Sequence, residues 1–434
     1  MIQYIAISIL AIMTISAFID LKKTILFWLP FKLLFNNQIA IRYESPGIAL
    51  VVAVDIMLLG VFLLKRKSKV FYRGEFLFRK SFIVFLVSYA ISSLFTIAPI
   101  MTAAIASVKF FCTGFCMVYL AHKCFNSLED IKLFVKFSIV VSIFIIALAL
   151  SENIFKTNIW LDFVFFNSPF DPTSGRMFYM PGSLEIRYGL VRSRSFFSFH
   201  IPFGYACLCL YWLIFYFYRY GANITKKNIS VIVSFLLIAG VLMSNSKQVY
   251  LGFLVMFFSL YPFKAVFQPK LIIPVVLASI AVIVYVPDYL NNIFSLTNEQ
   301  LAEEGGGSTI ALRETQYMIA FDMFAQNPLI GNGVAALSVL KQNMAFEGIL
   351  GAESVWLSIL PELGLLGAFA YLYMYYSIWN GNKFMSKKVL LFFLLSIIVV
   401  EFAGGLKDIS IWGVVLVAVY RYNQISKLKN ISYV

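Results

Sequence analysis

Thr309-Ile-Ala-Leu-Arg-Glu-Thr-Gln316 opens the segment around which this sequence is organised, and Pro361-Glu-Leu-Gly-Leu-Leu-Gly367 closes it. The segment lies in a polar interval that begins at Pro287, the longest in a chain made mostly of apolar runs of membrane-spanning length. Chemistry that needs water is therefore expected in this interval, with the apolar runs as its scaffold.

Within the interval, the sequence predicts a helix followed by a tight turn. Apolar residues recur at helical spacing at Tyr317, Ala320, Phe321 and Phe324. Arg313 lies at the start of this helix, and Asn327-Pro328 ends it because proline lacks the amide hydrogen that a helix needs. Gly331-Asn332-Gly333 is typical of a tight turn, and Glu353-Ser354 stands directly before the next apolar run.

The composition predicts an all-α polytopic integral membrane protein. Of the 434 residues, 61% are hydrophobic and only 13% are charged, which is not the balance of an ordinary soluble globule. A chain inside a bilayer must satisfy its backbone internally, and helices do this within one segment. We therefore expect about 12 transmembrane helices in a single transmembrane domain, residues 1–434.

About eleven apolar runs beyond residue 45 are long enough to span a bilayer. They lie near 46–64, 81–98, 101–121, 133–150, 199–218, 229–244, 248–263, 271–286, 354–378, 389–402 and 409–420. Ile2 to Ile19 is interpreted as an uncleaved helix, because it lacks the basic region and cleavage site of a signal peptide. Thr24 to Phe35 is shorter and carries Lys32, so it is a second span, a re-entrant segment or an interfacial helix.

Basic residues concentrate on alternate connections between the predicted spans. Lysine and arginine number 35 against 21 acidic residues, and by the positive-inside rule the basic connections face the cytoplasm. Both long polar loops, residues 151–198 and residues 287–353 with their short helices, then face outward. The positive charge reflects topology, so membrane lipids are expected partners and nucleic acid is not.

Several cations nevertheless lie on the outward side. Arg187, Arg192 and Arg194 are close together, and a guanidinium fork binds phosphate or pyrophosphate in bidentate fashion. The alternative is that they anchor the loop to lipid phosphates. Lys247 lies in a short turn close to bilayer depth, where a cation is costly and usually functional; the alternative is an interfacial lysine that reaches water.

Metal and disulfide chemistry have little support in the sequence. The cysteines lie in or beside apolar runs, which argues against a disulfide framework. His122 lies near Cys124, but the set matches no familiar metal-ligand spacing. We therefore expect no metal site and no cofactor.

Together these residues resemble the O-antigen ligase and O-antigen polymerase (Wzy-type) superfamily. The most specific part is the pair Asn327-Pro-Leu-Ile-Gly-Asn-Gly333 and Glu362-Leu-Gly-Leu-Leu-Gly367. Weaker matches are Arg194 followed by Pro202 and Gly204, the turn 244–247, Arg313, and Glu353-Ser354. The resemblance covers the chain from about residue 45 to the end.

The resemblance implies a GT-C-like membrane glycosyltransferase of the bacterial inner membrane, multi-pass, with its active site facing the periplasm. Members of the superfamily transfer glycan from an undecaprenyl-pyrophosphate carrier to an acceptor without a nucleotide sugar. The implied partners are therefore a glycan donor and acceptor linked to undecaprenyl pyrophosphate. A chain-length regulator protein is a further candidate partner.

Two departures from the superfamily bear on the reaction. Ser246-Lys247 stands where many members have Ser-Arg, which keeps the charge but loses the fork. Glu353-Ser354 stands where ligases have His-Asn, and the only histidines of this chain are His122 and His200. This difference favours an O-antigen polymerase of lipopolysaccharide biosynthesis. The alternatives are a ligase that transfers polysaccharide to lipid A-core and, less favoured for lack of internal repeats, a flippase or transporter.

Transfer of glycan from a lipid pyrophosphate needs cations that stabilise the leaving group and a base for the attacking hydroxyl. We predict that Glu353 acts as the base and that Arg313 contributes to catalysis. The predicted pyrophosphate-binding residues are Arg187, Arg192, Arg194 and Lys247. An alternative is that Glu353 or Ser354 caps the next helix. Runner-up acids are Glu314, Asp322 and Glu347.

Overall fold

The protein is described by a computed structural model and is mostly helical. The structure describes residues 1–35, 39–43, 47–66, 70–168, 184–187, 190–221, 224–260, 310–337, 354–404 and 409–431. The helices are α1 (Ile2–Phe31), α2 (Leu50–Lys65), α3 (Arg79–Leu94), α4 (Ile100–Lys109), α5 (Cys116–Cys124), α6 (Leu128–Phe155), α7 (Ile159–Asn167), α8 (His200–Tyr220), α9 (Lys227–Met243), α10 (Lys247–Leu260), α11 (Ile310–Gln326), α12 (Trp356–Gly381), α13 (Lys387–Gly404) and α14 (Ile409–Ile431).

Short elements connect some of these helices. A 3-10 turn, Lys32–Leu34, comes after α1, and a π-helical stretch, Phe110–Phe115, joins α4 to α5. Two antiparallel hairpins pair β1 (Ala40–Arg42) with β2 (Ile48–Ala49) and β3 (Ile186–Arg187) with β4 (Leu190–Val191). The second hairpin precedes α8 and carries part of the predicted site.

The described residues are mostly helical, which is consistent with the predicted all-α membrane protein. Five helical segments among them are long and apolar enough to cross a membrane: Ile2–Leu34, Ile100–Cys124, Leu128–Phe155, His200–Tyr220 and Trp356–Gly381. Two shorter apolar helices, Lys227–Met243 and Lys247–Leu260, also lie at predicted spans. The span predicted at 271–286 lies outside the described residues, and the total of about twelve stays a prediction.

The first helix is interrupted at Asp20, whose backbone is non-helical (φ −139°, ψ 84°). The side-chain amide of Gln3 donates to the carbonyl of Ile41 at 2.7 Å. A straight helix would place Gln3 about 45 Å from Leu34, whereas the stretch from Leu34 to Ile41 reaches at most about 25 Å. Helix α1 is therefore sharply bent at Asp20, which favours two segments over one at the start of the chain.

Lys32 lies at the end of the second half and is only 7% exposed. Its Nζ lies 3.4 Å from Oδ2 of the fully buried Asp55 on α2, and the indole nitrogen of Trp28 donates to the other carboxylate oxygen at 2.7 Å. A buried cation with an acidic partner belongs inside a helix bundle. This placement argues against an interfacial helix for residues 24–35.

Polar contacts define two ends of the bundle. At one end, which we call the basic end, α6 begins; Lys22 Nζ lies 2.7 Å from the carboxylate of Asp130. The guanidinium of Arg421 on α14 donates to the carbonyl of Phe125 at 2.9 Å in the same region. These contacts join connections in which the sequence concentrates its lysines and arginines, so this is the predicted cytoplasmic end.

At the opposite end, which we call the loop end, α6 and α9 finish and α8 and α10 begin. The hydroxyls of Tyr43 and Ser168 lie 3.3 Å apart there, which places the first hairpin and Gln3 at this end. Gln3 and Arg421 therefore lie at opposite ends of the bundle. An even total of spans, such as twelve, would place them at the same end, so this placement disagrees with twelve and favours two segments at the start with an odd total.

The two most specific motifs of the sequence meet in a backbone contact that we call the glycine joint, residues 327–333 and 361–367. Helix α12 is broken at Gly364 (φ 62°, ψ −158°), so carbonyls and amides around the break lack helical partners. They are satisfied by the loop: Asn332 N to Pro361 O at 2.8 Å, Gly333 N to Glu362 O at 3.0 Å, Leu365 N to Pro328 O at 2.9 Å and Leu366 N to Leu329 O at 3.1 Å. These four hydrogen bonds pair the backbone groups that the break leaves without helical partners, as buried backbone groups require.

Glycine is required at the joint for two reasons. Gly331 and Gly333 have φ of 71° and 97°, in the region that side chains disfavour. A Cβ on Gly331 would collide with the carbonyl of Glu362, and one on Gly364 would lie 2.6 Å from the amide nitrogen of Gly331. The motif pair thus has a structural role, because it lets the second loop lie directly on the broken helix.

Candidate functional site

The segment Arg192–Ser195 lies against the turn that joins α9 to α10. The amide of Ser193 donates to the carbonyl of Met243, the last residue of α9, at 3.0 Å. Nε of Arg192 donates to the carbonyl of Asn245 at 3.1 Å. Residues that are about fifty positions apart in sequence therefore come together at the loop end, directly before Lys247.

Lys247 itself is the first residue of α10. The turn before it packs closely on α8, because a Cβ on Gly204 would lie only 2.6 Å from Oγ of Ser244. Asn245 has a positive φ of 45°, a conformation that asparagine tolerates better than most residues. Gly204 and Asn245, both part of the sequence resemblance, thus serve to hold this turn against α8.

A carboxylate that the sequence alone did not single out organises two of the predicted arginines. Oε1 of Glu185 lies 2.6 Å from Nη2 of Arg187 and 2.5 Å from Nη1 of Arg192. Its Oε2 lies 3.2 Å from Nδ1 of His200. The hairpin β3–β4 makes this geometry possible, and the amide of Arg192 donates to the carbonyl of Glu185 at 2.9 Å. Arg187 and Arg192 are therefore ion-paired within the protein.

The electrostatics of this group decide what Glu185 can do. Burial by itself would raise the pKa of the Glu185 carboxyl, but the hydrogen bond with His200 and the charges of Arg192 and Arg187 outweigh it and hold that pKa well below its ordinary value. Burial also lowers the pKa of Arg192, and pairing with Glu185 opposes this. Its contacts with Arg187 and Arg192 therefore indicate that Glu185 orders the two arginines.

A second unanticipated carboxylate is Glu152, near the end of α6, which is 0% exposed. Its Oε2 accepts hydrogen bonds from the amides of Arg194 at 2.9 Å and Ser195 at 3.0 Å. Arg194 is 8% exposed. The four cations predicted to bind pyrophosphate lie at the loop end, where Glu185 pairs with two of them and Glu152 holds the backbone of a third.

Arg313 lies on α11, but its side chain is outside the described residues. The position of α11 is set by Asn332, whose Nδ2 donates to the carbonyl of Met323 at 2.7 Å and to that of Pro361 at 3.2 Å. Oδ1 of Asn332 accepts from Asn327 Nδ2 at 2.7 Å. The helix that carries Arg313 is therefore tied by one side chain to the glycine joint.

Glu353 lies outside the described residues, which resume at Ser354. The amide of Val355 donates to the carbonyl of Glu401 on α13 at 3.1 Å. Helices α13 and α10 pack side by side, since a Cβ on Gly252 would lie 3.3 Å from the carbonyl of Ser396. The start of α12 therefore lies at the same end of the bundle as the start of α10.

Among the residues that the structure describes, no three His, Cys, Asp or Glu side chains come together as a metal site would require. At the loop end, the guanidinium groups belong to the hairpin β3–β4 and the segment after it, and Lys247 begins α10. Such groups can bind an anion at the surface of a membrane.

Residues 232–372 match the Wzy_C family, described as O-antigen ligase. This match confirms the resemblance that the paired motifs indicate. It covers about a third of the chain and contains Lys247, Arg313, Glu353 and the whole glycine joint. No curated protein matches the chain.

The hairpin β3–β4 and the segment after it lie outside the region that matches Wzy_C. Arg187, Arg192 and Arg194 precede residue 232, as do Glu185 and Glu152. The spacing Glu185-Ile-Arg187 could have identified Glu185 as a partner of Arg187 from the sequence, because alternate residues of a strand lie on the same face. Glu152 had a weaker signal, a carboxylate near the end of an apolar run.

Proposed function

We propose that this chain polymerises oligosaccharide repeat units, carried on undecaprenyl pyrophosphate, into O-antigen or a related surface polysaccharide. The observation that carries the proposal is the contact of Arg192 and Ser193 with the α9–α10 turn. This contact places Arg192 beside the turn that directly precedes Lys247. A lipid-linked pyrophosphate presents its charge at the membrane surface, where such a group of cations would bind it. The Wzy_C match supports a lipid-linked glycan as the substrate.

In the proposed reaction, a hydroxyl of the acceptor glycan attacks the anomeric carbon of the donor. The new bond joins the hydroxyl oxygen to that carbon, the bond to the pyrophosphate oxygen breaks, and pyrophosphate leaves with the electron pair. Direct displacement inverts the anomeric centre. Arg194, Lys247 and Arg313 stabilise the charge on the leaving group, and Glu353 accepts the hydroxyl proton.

Pairing with Glu185 changes the part that we assign to two of the arginines. Arg187 and Arg192 share one carboxylate oxygen of Glu185, which offsets part of their charge. In our proposal they shape the wall of the site, while Arg194 and Lys247 carry more of the interaction with pyrophosphate. Orienting donor and acceptor together contributes further, since orientation alone can be worth about 7–11 kcal/mol.

We place this site at the periplasmic face of the bacterial inner membrane. The support is the charge distribution: Lys22 and Arg421 join the other basic connections at the basic end, and the positive-inside rule assigns that end to the cytoplasm. The loop end, with both long polar loops, then faces the periplasm. A chain-length regulator would meet the growing polymer on this side.

An O-antigen ligase is the second candidate, and the description of the matching family favours it. The residues at 353–354 favour a polymerase, because ligases have histidine where this chain has Glu353. Neither histidine substitutes for it in our proposal. His122 lies in the last turn of α5, packed against the ring of Tyr72 at the basic end, and His200 is paired with Glu185.

Deletion of the gene, together with an assay of surface polysaccharide, separates the two functions. Loss of a polymerase leaves lipid A-core that carries a single repeat unit, and the parental gene restores the ladder. Loss of a ligase leaves polymer on the lipid carrier that never reaches lipid A-core. Purified protein given only lipid-pyrophosphate repeat units should extend them; failure to extend them, with transfer to lipid A-core instead, would refute the polymerase.

A further inference from the structure

Glu152 is a carboxylate buried at the end of a membrane-spanning helix, a placement that is costly unless the charge is compensated. The compensation comes from backbone amides. A single oxygen, Oε2, accepts from the consecutive amides of Arg194 and Ser195 at 2.9 and 3.0 Å. The carboxylate of Glu152 thus fastens the backbone of the segment to α6, beside the hydroxyl of Ser193, which donates to the carbonyl of Ala149 on the same helix at 3.4 Å.

The conformation of the segment fits this fastening. Ser195 has a φ of 53°, in the left-handed region, and successive amides around such a residue converge on an anion. Here the anion comes from the protein itself. The other polar groups of Ser195 are also fixed: its hydroxyl donates to the carbonyl of Ile145 at 2.7 Å, and its carbonyl accepts from Asn158 Nδ2 at 2.8 Å.

These contacts restrict where the guanidinium of Arg194 can lie. Because its backbone is held at the amide and the next residue is held on all sides, the side chain leaves the main chain from a fixed point and in a fixed direction. The guanidinium also lies near enough to Glu152 to interact with its charge. A cation that stabilises a leaving group must be in place before the charge develops.

We propose that Glu152 is a positioning residue that acts through Arg194, by holding the Arg194–Ser195 backbone so that the guanidinium meets the donor pyrophosphate. This inference rests on the proposed function. It assigns to Glu152 no contact with substrate and no proton transfer.

The variants E152A and E152Q test the proposal in a polymerisation assay with purified lipid-pyrophosphate repeat units. E152A removes the acceptor and should lower kcat/KM on the order of 100-fold, the effect of a misplacement of about 1 Å. E152Q keeps an oxygen that can accept both amides, so most activity should remain. In an R194A background, E152A should cause no further loss, because the residue through which it acts is gone.

Glu129 provides a matched control on the same helix. It lies at the basic end of α6 with a side chain that is 84% exposed, so E129A should leave activity unchanged. Parental activity in E152A, or an equal loss from E152A with and without Arg194, would overturn the proposal. If E152A is recovered poorly, E152D replaces it, since its carboxylate is one methylene too short, and a comparable loss is expected.

Hydrogen exchange of the peptide that contains residues 190–199 separates this inference from the function on which it rests. The amides of Arg194 and Ser195 should exchange faster in E152A than in the parent and at the parental rate in E152Q, whatever reaction the protein catalyses. Unchanged exchange in E152A would refute the positioning. Faster exchange without any extension of lipid-linked repeat units by the parent would refute the polymerase alone.

Discussion

Replacement of Gly331 by alanine is the sharpest test of the glycine joint. The residue has a φ of 71°, and a Cβ at this position would collide with the carbonyl of Glu362 and lie 2.5 Å from the amide nitrogen of Leu363. Both are backbone atoms, so no side-chain rotation relieves the contact. The loop and the broken helix must move apart.

The cost depends on the local geometry. Alanine in the left-handed region costs about 1–2 kcal/mol. Separation of the loop from α12 breaks the bonds from Asn332 N to Pro361 O and from Gly333 N to Glu362 O, and each buried group left unpaired costs about 1–3 kcal/mol. We expect G331A to lose about 3–8 kcal/mol of stability.

The assay is the temperature at which purified protein in detergent loses its monodisperse peak after heating. The matched control is G60A on α2, since a Cβ there has no atom within 4 Å; alanine in a helix interior should stabilise by about 0.5–1 kcal/mol. G331A should lower the transition by several degrees and G60A should not. Equal transitions for G331A and the parent would refute the steric account of the joint.

Four further predictions concern the site and its orientation. K247A should remove most polymerisation at normal protein levels, and K247R should retain more, as judged from polymer length in membranes, because the charge persists. E353Q should lose polymerisation while still binding the lipid-linked donor; parental rates would make Glu353 structural. Because the pKa of Glu185 is lower in the folded than in the unfolded protein, its ion pairs stabilise the fold above about pH 4.3 and this contribution is lost as the pH falls through the folded pKa. The thermal transition of E185Q should therefore lie below that of the parent at pH 7, and the difference should shrink below about pH 4. Cysteines placed at 174 and 306 in a cysteine-free background should react with a membrane-impermeant reagent from the periplasm; labelling from the cytoplasm alone would reverse the topology.

The positions of most described helices could be predicted from the sequence, although the last one, predicted at 409–420, continues to Ile431. The spans predicted at 101–121 and 133–150 correspond to Ile100–Cys124 and Leu128–Phe155, because an apolar run of spanning length is a local property of the chain. The end of α6 differs by a few residues, since the helix continues to Phe155 into the predicted loop 151–198. Local apolarity does not report where a helix with polar residues at its end stops.

The start of the chain needed tertiary information. The sequence of residues 2–35 is compatible with one segment or with two, because a helix and a helical hairpin have the same hydropathy. The contact of Gln3 with Ile41 decided for a chain that bends sharply at Asp20. The same limit applied to the glycine motifs, whose spacing was visible but whose mutual contact was not.

The sequence by itself determined the class of the protein, the alternation of its basic connections and the cations worth testing, because these depend on composition and on neighbours along the chain. Only the tertiary structure decided that Glu185 pairs with Arg187 and Arg192, and that Glu152 holds Arg194 from 42 positions away. Ion pairs and hydrogen bonds act over a few ångströms. Which residues come that close depends on how helix ends are arranged in space, and hydrophobic periodicity does not specify that arrangement.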